Sequence, residues 1–131
     1  MQRTAVNPWE WSLQFGFNQA ESVEGHQRVL VCSGQTSVDA QGAVQHADDI
    51  AAQIGLALDN LESVLSAAGM GLPDVVKLTM YTTDVDAFIA NFEPLAGRFG
   101  EAGATYASTL IGVTRLAFPG LMVELEAIAM Q

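Results

Sequence analysis

The chain has 131 residues and a mass of 13.9 kDa; half of its residues are hydrophobic and 15% are charged. This composition excludes a disordered chain and predicts a single domain spanning residues 1–131, long enough to bury a core without disulfides. Fifteen acidic side chains against five basic ones give a net charge of −10. That charge argues against nucleic-acid binding, because a phosphate backbone would repel the chain.

Targeting and metal-binding signals are absent from the sequence. The single cysteine, Cys32, permits neither an internal disulfide nor a zinc cluster, so no metal site is expected. Residues 1–10 contain no apolar run of the kind found in a signal peptide. The most apolar stretch near the C-terminus, 116–123, is too short to cross a bilayer. We therefore expect no membrane association and a cytoplasmic location.

The pattern along the chain alternates between strands and helices. Residues 28–33 form an apolar run that predicts a buried strand. From 48 to 68, apolar side chains recur every three or four positions, which predicts an amphipathic helix. Residues 75–83 alternate between two faces and predict a second strand. A second helix should follow from about residue 84 and bend or restart at Pro94, because proline removes a helix hydrogen bond.

Two further strands, 109–116 and 121–130, complete the pattern. Residues 117–120 between them contain Pro119 and Gly120, so we predict that the two strands form a hairpin. The resulting order predicts an α+β fold in which two helices cover one face of a mixed sheet. The other face would carry apolar side chains, and a face of that kind predicts a homo-oligomer.

Several short motifs resemble those of the RidA family, also called the YjgF/YER057c/UK114 family. They are Val-Leu-Val-Cys-Ser-Gly-Gln (29–35), Ala-Leu-Asp-Asn-Leu (57–61), Ala-Ala-Gly (67–69), Asp-Val-Val-Lys-Leu-Thr (74–79) and Val-Glu-Leu-Glu-Ala-Ile-Ala (123–129). The resemblance runs along nearly the whole chain. It implies a chorismate-mutase-like fold and a homotrimer, in which three sheets close a central barrel and three clefts lie at the subunit interfaces.

The resemblance also implies an activity. Characterised members of the RidA family hydrolyse reactive imines and enamines, such as 2-aminoacrylate, to a 2-keto acid and ammonia. In them an arginine clamps the substrate carboxylate, which a guanidinium can bind through two parallel hydrogen bonds, and a glutamate holds the attacking water. We therefore expect a small-molecule ligand at the subunit interface, and no cofactor.

The family's site residues carry over to this sequence only in part. Glu124 matches the catalytic glutamate that holds the water. Ser33 and Gly34 match a turn that lines the cleft. Asn91 matches the cleft asparagine, and Phe17 takes the place of a cleft tyrosine, keeping the ring but not the hydroxyl. These matches predict that the five residues line one cleft.

The family's arginine has no counterpart here. Its position falls on Ser108, or on Thr109 if the alignment takes a one-residue gap, and neither side chain can clamp a carboxylate. Arg115 matches a different arginine of the family. Strand alternation alone cannot single out the catalytic acid, because it places Glu124 and Glu126 on the same face.

Three hypotheses follow from these matches. The first is a RidA-like hydrolase, or deaminase, of imines or enamines other than simple 2-imino acids. The alternative is a non-catalytic trimer that binds a small metabolite or a partner. A ribonuclease is the least favoured of the three, because the chain is acidic and lacks a pair of histidines suited to the chemistry.

Overall fold

The computed structural model describes residues 1–131, with a mixed five-stranded sheet at its centre. The strands are β1 (Gln2–Val6), β2 (Ala20–Glu24), β3 (Val29–Val31), β4 (Gln35–Thr36), β5 (Val75–Thr82), β6 (Ala107–Gly112) and β7 (Val123–Met130). The helices are α1 (Ile50–Ala67), α2 (Val85–Ala90) and α3 (Glu93–Glu101). Short 3₁₀ helices lie at Trp11–Phe15 and Leu72–Asp74. The predicted α+β class is confirmed.

Strand β7 pairs antiparallel with β3 and β4 on one side and with β5 on the other, and β6 pairs parallel with β5. The predicted hairpin between the last two strands is therefore wrong, because β5 lies between β6 and β7. The connection 113–122 does turn at Gly120, but both of its ends hydrogen-bond to the end of β5. The Val113 N–H donates to the Thr82 carbonyl, and the Thr83 N–H donates to the Met122 carbonyl.

All three helices pack on the same face of the sheet. Helix α1 begins after Asp49, whose side chain accepts a hydrogen bond from the Ala52 N–H. Helix α2 ends at Ala90 and α3 starts at Glu93, with Pro94 in its first turn, where no intrahelical N–H is needed. The second predicted helix is thus two helices, so the face carries three rather than two. None of these helices has both the length and the apolar character that a membrane span requires.

The hydrophobic core lies between the helices and alternate residues of the central strands. Helix α1 contributes an apolar stripe, and β5 and β7 contribute the side chains that point toward it. The main members are Ile54, Leu58, Leu61, Leu65, Leu78, Met80, Val123 and Leu125. The intervening residues of β5 and β7 point to the opposite face, which no helix covers. We call this the open face; it carries Lys77, Thr79, Tyr81, Glu124, Glu126 and Ile128.

An N-terminal hairpin of β1 and β2 was not predicted from the sequence. Most of its side chains are exposed, so it gives little hydrophobic signal. The half-buried guanidinium of Arg3 holds it in place by donating to the carbonyl oxygens of Pro73, Val75 (3.0 Å) and Thr105 (2.7 Å). Glu21 on the partner strand lies 3.7 Å from the same guanidinium. Polar contacts rather than apolar burial therefore attach this hairpin to the domain.

Candidate functional site

The predicted site residues separate into two main groups. Glu124 lies on the open face beside the turn that contains Ser33 and Gly34. Phe17 and Ser108 lie on the helix-covered side of the sheet. Within one chain these groups face away from each other, and the strands that carry Ser108 and Glu124 are not neighbours, because β5 lies between them.

Two carboxylates lie close together on the open face. In the pairing of β5 with β7, Tyr81 is opposite Glu124, and Thr79 is opposite Glu126. The Tyr81 hydroxyl donates to Glu126 Oε1 at 3.2 Å. Partial burial, and to a smaller extent the negative charge of Glu126, raise the pKa of Glu124. Burial, together with Glu126 and Glu124, also raises the pKa of Tyr81.

The Glu124 carboxylate lies directly against the backbone of Gly34. A Cβ atom placed on Gly34 would come within 2.8 Å of Glu124 Cγ and would overlap the carboxyl group itself. The contact follows from the pairing of β4 with β7, in which Thr36 is opposite Glu124. Ser33, next to Gly34, is exposed to solvent. The structure therefore brings Glu124 and the Ser33–Gly34 turn together, and the absence of a side chain at Gly34 makes the contact possible.

An apolar pocket of about 250 Å³ lies on the helix side of the sheet. Seven of its eight lining residues are hydrophobic, and Ser108 is the exception. The lining residues are Phe15, Phe17, Met80, Phe88, Ile89, Phe92, Ser108 and Leu110. Parallel pairing of β6 with β5 sets Ser108 beside Leu78 and Leu110 beside Met80, which explains why both side chains point to this side.

The other wall of the pocket comes from the segment that precedes β2. The Asn18 N–H donates to the Tyr106 carbonyl at 2.8 Å and fixes this segment along the edge of β6. Phe17 is thereby placed over Ser108. Trp11 packs edge-to-face against both Phe15 and Phe17, with ring centroids 6.4 and 5.9 Å apart. Aromatic contacts of this geometry fix the positions of the two phenyl rings.

Asn91 and Thr109 belong to neither group. The Asn91 amide donates to the Ala87 carbonyl at 2.8 Å and closes the end of α2, while the next residue, Phe92, lines the apolar pocket. Thr109 points to the open face, where its Oγ1 accepts a hydrogen bond from Lys77 Nζ at 2.6 Å. Of the two residues considered for the arginine position, only Ser108 lies in the pocket.

Sequence reasoning missed most of the pocket. Phe88 and Phe92 fit the apolar pattern of the second predicted helix, but periodicity indicates burial and not that a cavity lies beside a side chain. For Leu110 the sequence indicates only that the residue favours a β-strand. No arginine lies in the pocket or beside Glu124, and no three His, Cys, Asp or Glu side chains are grouped as they would be to hold a metal ion.

The chain is similar to known proteins both in sequence and in structure. The sequence profile of the family described as endoribonuclease L-PSP matches residues 15–131. A 2-iminobutanoate/2-iminopropanoate deaminase of Salmonella typhimurium is 34% identical over 105 residues, covering 79% of this chain and 80% of the deaminase. The crystal structure of YyfB from Yersinia pestis, a Rid-family protein of unknown function, has a TM-score of 0.89 at 35% identity, with both chains fully covered. The YjgF gene product of E. coli has a TM-score of 0.71 at 32% identity, covering 88% of this chain and 87% of its own.

Proposed function

Because the chain belongs to the endoribonuclease L-PSP family, which is the RidA/YjgF family, we propose that it hydrolyses reactive imines or enamines other than simple 2-imino acids. The observation that carries this proposal is the position of Glu124. Its carboxylate is half-buried against the Gly34 backbone, and its pKa is raised toward neutrality. A proton acceptor is most effective when its pKa approaches the working pH.

The proposed reaction requires only a positioned water and a proton for nitrogen. Glu124 accepts a proton from the water as its oxygen forms a bond to the imine carbon. Glu124 passes this proton to the nitrogen, which gives a carbinolamine. Glu124 then takes the proton of the new hydroxyl group and delivers it to the nitrogen as the carbon–nitrogen bond breaks, so ammonia leaves and a carbonyl product remains. An enamine first takes a proton on carbon to give the imine. The net change is addition of one water and loss of one ammonia, so the reaction needs no oxidant or reductant.

We propose that a complete site forms between subunits of a homotrimer. Groups that act on one small substrate must converge within a few ångströms of it, and within one chain Glu124 and Ser108 lie on opposite faces of the sheet. Packing of the open face against a second copy would allow Glu124 of one subunit to meet the apolar pocket of its neighbour. It would also bury Tyr81 and Ile128, the two half-exposed side chains of that face with large apolar surfaces.

Sedimentation equilibrium tests this assembly. We expect a mass near three times the 13.9 kDa of one chain. Mixing two inactive variants tests the shared site: Glu124→Gln lacks the acid, and Ser108→Phe fills the pocket. Hybrid trimers should regain part of the activity, because some clefts combine an intact Glu124 with an open pocket. A monomeric mass, or no recovery in verified hybrids, would contradict the shared site.

Hydrolysis of 2-iminopropanoate should be weak in the wild-type chain. A charge-assisted pair between arginine and a carboxylate contributes roughly 2–4 kcal/mol, so its absence at Ser108 lowers the rate about 30- to 1000-fold. The measurement is pyruvate release from freshly generated iminopropanoate, compared with the Salmonella deaminase. Ser108→Arg should raise the rate. Wild-type activity equal to that of the deaminase would show that the arginine is not needed.

On the acidic side of the pH profile, activity should be lost at a higher pH than the usual pKa of a glutamate would give. Burial and Glu126 raise the pKa of Glu124 above its usual 4.5, so activity falls as the pH drops through the raised value and the carboxylate is protonated. By linkage, the folded state binds this proton more tightly than the unfolded state, so this group's contribution to stability grows as the pH falls through the same window. Glu126→Gln should move this loss of activity to lower pH. If Glu126→Gln leaves the pH of this activity loss unchanged, the charge of Glu126 does not raise the pKa of Glu124.

A non-catalytic binding protein is the second candidate, favoured by the lack of any cation in the pocket. In that case the pocket would bind small molecules, but no imine would be hydrolysed faster than in buffer. We do not propose RNA cleavage, since the net charge of −10 opposes RNA binding.

A further inference from the structure

The apolar pocket is large enough for a phenyl ring or a branched aliphatic chain. Its volume of about 250 Å³ exceeds that of the engineered cavities of about 150 Å³ known to bind benzene. We propose that it holds the hydrophobic side chain of the substrate, so that the enzyme acts on imines and enamines carrying an aromatic or branched apolar group. The reaction in this proposal rests on the proposed function, whereas binding of an apolar group to the pocket does not.

The composition of the lining favours such a group over a charged one. Ser108 supplies the only polar side chain, and a hydroxyl can satisfy one neutral polar atom but cannot offset a buried carboxylate. Each methylene buried in the pocket should strengthen binding about fourfold. A substrate without a carboxylate also avoids repulsion by Glu124 and by the acidic chain as a whole.

Aromatic contacts support the pocket on two sides. On one side Trp11 supports Phe15 and Phe17, and on the other the Phe88 and Phe92 rings pack 5.9 Å apart, with Phe88 fully buried. Side chains already fixed by such contacts lose little conformational entropy when a ligand binds. The walls are therefore preorganised for a ring-shaped ligand.

Trp11 provides a built-in reporter of pocket occupancy, because the chain has only two tryptophans and Trp11 contacts two pocket residues. Trp9→Phe leaves Trp11 as the sole tryptophan, and Trp11→Phe leaves the exposed Trp9 as the matched control. Benzyl alcohol should change the fluorescence of the Trp9→Phe protein in a saturable way, and should bind at least about tenfold more tightly than pyruvate. The Trp11→Phe protein should not respond.

Variants of the pocket identify the binding site. In the Trp9→Phe background, Ser108→Phe should weaken benzyl alcohol binding about tenfold or more by filling the pocket. Ile89→Glu should do the same by placing a charge at the exposed rim, whereas Ala90→Glu, on the same helix but outside the pocket, should have no effect. Equal binding of pyruvate and benzyl alcohol, or equal effects of Ile89→Glu and Ala90→Glu, would overturn the inference.

Four imines then separate side-chain selection from the reaction itself. Amino-acid oxidase generates imines from alanine and phenylalanine, and a flavin amine oxidase generates them from ethylamine and phenethylamine. We expect the phenethylamine imine to be hydrolysed fastest and the alanine imine slowest. Hydrolysis at equal rates would overturn the pocket inference and retain the proposed function. Binding of benzyl alcohol without hydrolysis of any imine would overturn the proposed function and retain the pocket inference. If benzyl alcohol does not bind and no imine is hydrolysed, both proposals are overturned.

Discussion

Replacing Glu124 by glutamine is expected to lower imine hydrolysis at least about 100-fold, because positioned acid–base groups contribute about 10²- to 10⁴-fold to a rate. Glutamine keeps the shape of the side chain but cannot accept the proton of the attacking water. It also removes a charge that repels Glu126, so the melting temperature should stay the same or rise slightly. Ammonia release from the phenethylamine imine, followed together with thermal unfolding, separates the two effects.

Glu126→Gln is the matched control for this variant. It lies two residues along the same strand and points to the same face, but its carboxylate is held by the Tyr81 hydroxyl. Its activity at neutral pH should remain within a few-fold of wild type. If the Glu124→Gln protein keeps more than about a tenth of the wild-type rate, Glu124 is not the base.

Replacing Gly34 by alanine should be nearly as damaging as removing the acid. The added methyl group would overlap the Glu124 carboxyl group, and the carboxylate would have to move away from the turn. A displacement of about 1 Å in a positioned group can cost about 100-fold in rate. Because Gly34 does not adopt a left-handed conformation, the backbone accepts alanine, and we expect hydrolysis to fall without loss of folding.

Gly55→Ala serves as the control for a generic glycine-to-alanine effect. Gly55 lies within α1, and no atom beyond its own helix turn lies within 4 Å of the position its Cβ would occupy. That variant should be fully active and up to about 1 kcal/mol more stable, because alanine favours a helix over glycine. A fully active Gly34→Ala protein would mean that the position of the Glu124 carboxylate seen here is not the working one.

The sequence predicts those parts of the fold that depend on local periodicity. Helix α1 and strand β5 lie within a residue or two of their predicted limits, since each has a clear apolar stripe or alternation. The pairing of β6 and β7 was wrong because a turn sequence shows that the chain reverses, but not which strand lies beside it. The hairpin of β1 and β2 was missed because the half-buried guanidinium of Arg3, and not an apolar face, holds it.

The candidate site depends on strand pairing, which one sequence does not reveal. Resemblance singles out Glu124 and Ser108, but their separation onto two faces follows from the insertion of β5 between their strands. The contact between Gly34 and Glu124 likewise depends on how β4 is aligned with β7. At the end of α2 two adjacent residues have different roles. Asn91 closes the helix, whereas Phe92 lines the pocket.

The outer wall of the pocket and the Glu124 carboxylate are supported by different parts of the chain. The family profile begins at residue 15, while Trp11, which supports the outer aromatic wall, lies before that point. The hairpin is joined to the domain mainly through Arg3 and backbone carbonyls, which place few demands on the side chains around it. All eight residues that line the pocket lie within the matched region, so only the support given by Trp11 comes from outside it. A substitution at Trp11 would therefore change the packing of Phe15 and Phe17, and with it the fit of a ligand, while the sheet that carries Glu124 stays as it is.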